Sequence, residues 1–383
     1  MLKLFEDKER NNLEYAKNHH NTYIFYDESG LREMSGVRNI LNEWFDSYPS
    51  SEKIELKRRF KKEFDSAFYE LFLHELFLKQ GFKLQVHPML PDTTKRPDFL
   101  VSKGDFEFYL EAKVATDISN EEQSKKNKCN TVYDGLNKIN SPNFWLMPEE
   151  EIIFKSNRQP SLKKAIKDIE KQLELFDVDE VTSAFESSNY LILPKIMYED
   201  SDLEIFFSIV PKPLNKRNEL NSRPIASKPI FSFLGGSEES IKSAIKEKVS
   251  RYGNVDKPYI IAINSLSIKG TDNHDVYNAL LGYGNLPFNQ SMNRKAIKEN
   301  DGMFIGFNGW HNTRVSAVLI TTIYPSNLNC VYHWLVKHPM AKNELDLKKL
   351  DLSFITLDEY RTIDNIQKQI KDILNVTDDY LNL

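Results

Sequence analysis

Three residues between Arg96 and Thr116 are out of character for their surroundings. The stretch RPDFLVSKGDFEFYLEAKVAT reads as two short apolar strands joined by a polar turn at Lys103–Gly104–Asp105, yet it carries Asp98, Glu111 and Lys113. Successive side chains on a strand alternate between faces, so Glu111 and Lys113 share one face while Leu110, Ala112 and Val114 turn to the other. If strands near 97–102 and 106–115 pair around the turn, Asp98 comes alongside Glu111. Two carboxylates at close range repel unless a cation lies between them. Hard divalent cations such as Mg²⁺ take oxygen ligands, often one or two carboxylates with water and substrate phosphate. A lysine beside such a cation orients or helps to deprotonate a water, or stabilises charge developing on a phosphate. The chemistry these residue types would perform is metal-dependent phosphodiester hydrolysis.

The surrounding sequence predicts the elements that hold this hairpin. Residues 33–46 and 51–79 read as helices; in the second, Phe60, Phe64, Ala67, Phe68, Leu71, Phe72 and Leu78 recur at helical spacing. Gly81 is a plausible helix stop. FKLQVHPML then alternates as a strand, with His87 structural at its end. Residues 117–150 are polar and read as a long loop with short helices. SLKKAIKDIEKQLELFD (161–177) is helical with Ser161 as N-cap, and 190–199 with 203–212 form a hairpin turning at Asp200–Ser201–Asp202. Residues 235–253 predict a helix capped by Ser237 and ending at Gly253. KPYIIAINS (257–265) is a nearly continuous apolar run, as for a strand covered on both faces, and 313–325 is a second. The acidic tail from about 343 to 383 reads as helical. Together these predict an α/β fold around a mixed sheet: an N-terminal helical extension over 1–60, a main domain over 61–340 with an insertion at about 117–235, and a C-terminal helical segment over 341–383.

Composition narrows the setting. Hydrophobic residues at 40% and aromatics at 12% support a sizeable core. The two cysteines, Cys129 and Cys330, form no CxxC pattern, which argues against a disulfide framework or a cysteine zinc site and fits a reducing compartment. The N-terminus is charged almost at once, and no uncharged apolar run reaches membrane-spanning length, so a cytoplasmic protein away from membranes is expected. A net charge of −5 neither advertises nucleic-acid binding nor excludes it. Residues 155–167 and 212–228 are locally basic; the second holds Lys216 and Arg217. A solvated loop is the plainer reading of such runs.

RPDF followed by LEAK resembles the motif of the PD-(D/E)XK nuclease superfamily, the restriction-endonuclease-like fold. Pro97–Asp98 match the PD half and Glu111–Ala112–Lys113 the ExK half. FYELFLHELFLKQGF resembles the helix that precedes the first strand in Mrr-like members, with Glu70 at the position of its glutamate and Glu75 as the poorer alternative. The likeness covers about 64–116. Beyond it, IKSAIKEKVSRYGNVDKPYIIAINS (241–265) resembles the helix and strand that complete the core, with 161–177 and 190–196 as rivals. The resemblance implies a Mg²⁺-dependent nuclease, with Mn²⁺ able to substitute. Asp98, Glu111 and the Ala112 carbonyl would hold metal, Lys113 would position water, and Glu70 would hold a second metal or its water. It further implies a nucleic-acid substrate, DNA before RNA, a role in bacterial restriction or anti-phage defence, and action alone, as a homodimer or beside a separately encoded partner. The alternative from another class is a catalytically inactive module of the same fold that binds nucleic acid or protein.

Other residues are weaker candidates for contacting nucleic acid. His74 shares a helix face with Glu70 and could touch phosphate, although a satisfied, partly buried histidine is at least as good a reading. Lys248, on the 235–253 helix, is placed to face the site. NGWHNTR (308–314) groups Trp310, His311 and Arg314 for stacking and phosphate grip, against the plainer reading of a tight turn around a packed tryptophan. HExxH, GxxxxGK[ST] and GxGxxG are all absent, which disfavours a zincin, a P-loop enzyme and a Rossmann enzyme. GGS at 235–237 could bind an anion, but as a helix cap it needs none.

Overall fold

The computed structural model describes residues 2–13, 21–91, 93–117, 120–156, 158–188, 193–219, 223–225, 236–253, 255–267, 270–282, 302–306, 309–358, 361–377 and 379–382. The chain divides into two compact units. One comprises Met1–Tyr15, Asn21–Asp117 and Phe233–Leu383, and the other Ala16–His20 and Ile118–Ser232.

The first unit opens with four helices, α1 (Thr22–Glu28), α2 (Arg32–Ser47), α3 (Lys53–Lys62) and α4 (Phe64–Lys79). The single helix expected over 51–79 is therefore two. Glu63 leaves helical geometry at φ −137° and ψ 59°, ending α3 and starting α4. A stripe of phenylalanines runs unbroken in sequence across this joint, which is why spacing alone does not reveal it. All but four of the sixteen residues of α4 are buried, so the helix is covered on every side and its polar residues must find partners inside the protein. Gly81, at φ +80°, makes the turn that leads out of α4, as expected of a helix stop. Three strands follow: β1 (Lys83–Val86), β2 (Phe99–Lys103) and β3 (Phe106–Ala115). The expected hairpin forms, with β2 antiparallel to β3 in the register Phe99↔Leu110.

The second unit then contributes α5 (Asn120–Leu136), β4 (Phe144–Pro148), β5 (Ile153–Phe154), α6 (Lys163–Leu173), α7 (Val178–Ser187), β6 (Lys195–Glu199) and β7 (Leu203–Pro211). β4, β5 and β6 each pair antiparallel with β7, over a core that includes Leu146, Ile169, Ile205 and Phe207. The hairpin turning at 200–202 is present as β6 and β7. The loop expected over 117–150 is instead α5 and β4, because Val132, Tyr133 and Leu136 pack into this core from an otherwise polar helix. Ser161 does not cap α6: the helix follows Leu162 and has no side-chain cap.

The chain returns to the first unit with α8 (Glu238–Val249), β8 (Tyr259–Ser265), α9 (Asn273–Leu281), β9 (Ile305–Gly306), β10 (Gly309–Trp310), β11 (Ala317–Thr321), β12 (His333–Lys337), β13 (Phe354–Asp358), β14 (Arg361–Asn365) and α10 (Ile370–Leu374). Ser237 sits just before α8, but its hydroxyl makes no capping bond, so the expected cap is not formed. The acidic tail is not simply helical. β13 and β14 form a hairpin that extends the sheet, pairing Ile355 with Asp364 and Val336 of β12 with Ile355. Both carry adjacent β-branched residues, Ile355 and Thr356 in one and Thr362 and Ile363 in the other, which suit a strand.

The result is a mixed eight-stranded sheet in the order β1-β2-β3-β8-β11-β12-β13-β14, with β3, β8 and β11 parallel. The central strands are covered on both faces, as their continuous apolar runs require. Ile260 and Ala262 of β8 pack with α4 residues such as Phe68 and Phe72. Tyr259, Ile261 and Ile263 pack with Ile241 and Ile245 of α8. Among the described residues no helix is long and apolar enough to cross a membrane. Neither Cys129 nor Cys330 forms a disulfide.

Candidate active site

Asp98, just before β2, is fixed by its neighbours on three sides. Its carbonyl accepts the His87 N–H at 2.9 Å, and the carbonyl of Arg96 lies 2.9 Å from the Tyr252 hydroxyl. Its Oδ2 accepts the Ala112 N–H at 2.7 Å. The ladder between β2 and β3 stops at Phe99↔Leu110, so the Asp98 side chain takes a donor that no further strand residue reaches. Asp98, Ala112 and Lys113 line a cleft of about 210 Å³ with Glu70, Arg59 and Lys248. α3, α4, the hairpin and α8 each contribute to this wall.

Glu111 and Lys113 point to the α8 face of the sheet, as strand alternation dictates. Glu111 is 1% exposed and accepts Lys248 Nζ at 2.6 Å on Oε1 and the Tyr252 hydroxyl on Oε2. Arg251 stands 3.8 Å from Oε1. Lys113 is half-exposed and donates to Glu247 at 2.6 Å. On the other side of the cleft, Glu70 is buried in α4 and accepts the Tyr48 hydroxyl at 2.6 Å on Oε1 and the Arg59 guanidinium on Oε2.

The charges act on one another. Burial, then the carboxylates of Glu111 and Glu70, push the Asp98 carboxyl up to about 7, against the Ala112 N–H and Lys248, which pull it down. Burial together with Glu70 raises the Tyr48 hydroxyl pKa, and burial together with Glu111 raises that of Tyr252, so both remain proton donors. Burial opposes the charge on Arg59, but the Glu70 and Asp98 carboxylates outweigh it and raise its pKa. The three acids offer oxygen donors only, and the Asp98 carboxyl is raised first by burial and then by its two neighbouring carboxylates. That donor set fits Mg²⁺ or Mn²⁺ and not a thiophilic metal. Among the described residues no three acidic, histidine or cysteine side chains are gathered to hold a metal ion, because Glu70 and Glu111 are each turned to their own cation.

The other expected residues are not part of this cleft. His74 is 3% exposed, lies 4.8 Å from the Tyr48 ring and is held to a pKa of about 4 by burial. It is a neutral core histidine, and the expected contact with phosphate is set aside. Glu75 faces away, accepting Ser47 Oγ at 2.8 Å. Trp310 is 36% exposed, His311 Nε2 is 2.6 Å from the Gly302 carbonyl, and Arg314 donates to the Gly253 carbonyl at 3.3 Å. His311 lines a different cleft, against Lys242 and Lys246 of α8. Lys216 and Arg217 belong to the second unit, where they pair with Glu219 at 3.2 Å and Asp179 at 2.7 Å.

The sequence reading missed Tyr48, Arg59, Arg251 and Tyr252. Lys248, Arg251 and Tyr252 stand at i, i+3 and i+4 in the stretch the sequence predicts as helical, a signal present in the sequence, although α8 ends at Val249 and Arg251 and Tyr252 lie in the turn that follows. Arg59 had none. In one continuous helix it would lie about 16 Å along the axis from Glu70, and only the break at Glu63 brings them together.

No protein-family model, curated protein or solved structure matches the chain.

Proposed function

We propose that the chain is a Mg²⁺-dependent nuclease, hydrolysing phosphodiester bonds of DNA in preference to RNA, on a core of the PD-(D/E)XK kind. The observation that carries the reading is the convergence of Asp98, Lys113 and Glu70 on one cleft from three separate elements, with Glu111 directly behind it. Asp98, Glu111, the Ala112 carbonyl and Glu70 would hold the cation. Bound there, Mg²⁺ supplies Lewis-acid polarisation of a phosphoryl oxygen and a lowered pKa for water. Lys113 emerges from the same strand as Glu111 with its ammonium, among the described residues, tethered only to half-exposed Glu247, so it can turn to orient the attacking water or meet charge on the phosphate. Asp98, held by the backbone of Ala112, fixes the distance between the two strands on which the site depends. Restriction or anti-phage defence is the biological role that accompanies this reading.

A binding module without the reaction is the second reading, and one observation favours it: Glu70 and Glu111 are each already neutralised by a cation and a hydroxyl. Incubating the protein with plasmid DNA and single-stranded RNA in Mg²⁺, Mn²⁺ or EDTA separates the two. The nuclease reading expects metal-dependent cleavage that Lys113→Ala abolishes without altering the melting temperature. Binding with no cleavage in any metal, or full turnover by Lys113→Ala, overturns it.

A further inference from the structure

Glu70, which lines the cleft, and Glu111, which lies behind it, are satisfied in the same way by residues from distant parts of the chain. Glu70 holds a tyrosine hydroxyl on one oxygen and the Arg59 guanidinium on the other; Glu111 holds a tyrosine hydroxyl on one oxygen and the Lys248 ammonium on the other. The carboxylate side chains are 3% and 1% exposed, and their cations 24% and 9%. The cations therefore stand on the solvent side of the acids. Both line the cleft with Asp98 and Lys113. A divalent cation that reached Glu70 or Glu111 would meet Arg59 or Lys248 in its path, and like charges at such range repel strongly in a site of low dielectric. Displaced from its carboxylate, each basic group stays anchored on its helix beside the cleft, where an incoming anion restores its charge balance.

We infer that Arg59 and Lys248 are the phosphate ligands of the site, parked on Glu70 and Glu111 until a divalent cation takes those carboxylates. The inference rests on the nuclease reading and names the groups that would recognise its substrate, a phosphodiester oxyanion. The planar fork of Arg59 suits two phosphate oxygens at once, and Lys248 supplies a compact point charge. Metal and phosphate then bind cooperatively, and by linkage each raises the affinity for the other by the same factor. The parked state also keeps both buried acids paired in the absence of metal, which an empty acidic cleft would not.

The test measures binding, not turnover. A fluorescein-labelled DNA duplex and a single-stranded RNA of matching sequence are titrated by anisotropy in Ca²⁺ and in EDTA at constant ionic strength, and Ca²⁺ affinity is measured by calorimetry. Ca²⁺ is expected to tighten nucleic-acid binding by at least about tenfold, the factor that 1.4 kcal/mol of coupling produces. Arg59→Met and Lys248→Met should each lose most of that gain while binding Ca²⁺ at least as tightly as the native protein, because a competing positive charge is gone. The opposite signs are the signature, since a residue needed only for folding would weaken both. Arg59→Lys and Lys248→Arg keep the charge and guard against a Met variant that fails to fold. Arg59→Lys should retain native Ca²⁺ affinity with intermediate nucleic-acid binding. Native nucleic-acid binding by both Met variants in Ca²⁺, or a parallel loss of Ca²⁺ affinity, overturns the inference. Cleavage of the same probes in Mg²⁺ is scored separately, so a protein that binds cooperatively without cutting refutes the nuclease reading and leaves the ligand assignment standing. The probe bound more tightly identifies the polymer.

Discussion

Asp98→Asn should make the metal-free protein more stable, and only at neutral and alkaline pH. The native carboxyl titrates at about 7 where an unstrained aspartate titrates at 3.8, chiefly through burial and the fields of Glu111 and Glu70. Between those values the folded protein holds a proton that the unfolded chain has released, so stability falls as pH rises from about 4 to about 7 and levels off above. The cost is absent below the unfolded value and complete above the folded one. At about 1.4 kcal/mol per pK unit the full effect is on the order of 4 kcal/mol, and about 2 kcal/mol remains if the three carboxylates share the penalty. Asparagine avoids the charge and keeps an oxygen for the Ala112 N–H, now bonded at 2.7 Å. Urea melts in EDTA should therefore show the variant about 2–4 kcal/mol more stable at pH 8, with the gain shrinking below about 1 kcal/mol near pH 4. A Trp145→Phe background confines the fluorescence signal to the unit that contains the site, since the other three tryptophans lie there. The same proton competes with metal, so native Mn²⁺ affinity should fall as pH drops through about 7. A variant no more stable than the native protein at pH 8, or one whose gain ignores pH, would show that burial and the neighbouring carboxylates do not oppose the Asp98 charge.

Two further substitutions test the neighbouring elements. Glu70→Gln should lower cleavage at least about tenfold, equivalent to 1.4 kcal/mol, with partial rescue by raised Mn²⁺, while Glu75→Gln, bonded to Ser47 and away from the cleft, leaves the rate unchanged; the reverse result in a cleavage assay would put the catalytic acid one turn along α4. Gly36→Ala should destabilise the fold by about 1–3 kcal/mol, since a Cβ there would lie 2.6 Å from the Tyr380 carbonyl and 2.8 Å from the Leu381 Cα; a melt superimposable on the native one would mean that the C-terminal residues do not hold α2 as described.

The parts of the fold legible in the sequence are those in which local pattern and burial agree. Tyr259–Ser265 is apolar throughout because both faces are covered, and the run announces that directly. The β2–β3 hairpin is marked by its turn and its alternation, which also assigns Glu111 and Lys113 to a common face. The pattern fails where burial is decided by distant chain. α5 presents a polar sequence with a few apolar residues, and only the second unit's own core makes those residues a face. β13 and β14 are acidic and short, and it is the neighbouring edge of β12 that makes them strands. Tertiary context of this kind routinely overrides local propensity.

The candidate site divides along the same line. Asp98, Glu111 and Lys113 are visible because a charged residue inside an apolar strand is anomalous at the level of the strand itself. Their partners are ordinary where they occur: lysine and arginine near the C-terminal end of a helix, as Lys248 and Arg59 are, suit the helix dipole and draw no notice. What makes them functional candidates is separation in sequence closed by the fold, Lys248 lying 137 residues from Glu111. The break at Glu63 shows how little chain is needed to decide this. One residue out of helical geometry turns Arg59 from a solvated position on a long helix into the counter-ion of a buried acid. An arginine so placed is half of a buried ion pair with Glu70, and a buried pair of that kind is weak evidence for stability. If the inference above is right, phosphate binding and cation binding at this cleft are coupled, because Glu70 and Glu111 keep Arg59 and Lys248 occupied in the absence of a cation.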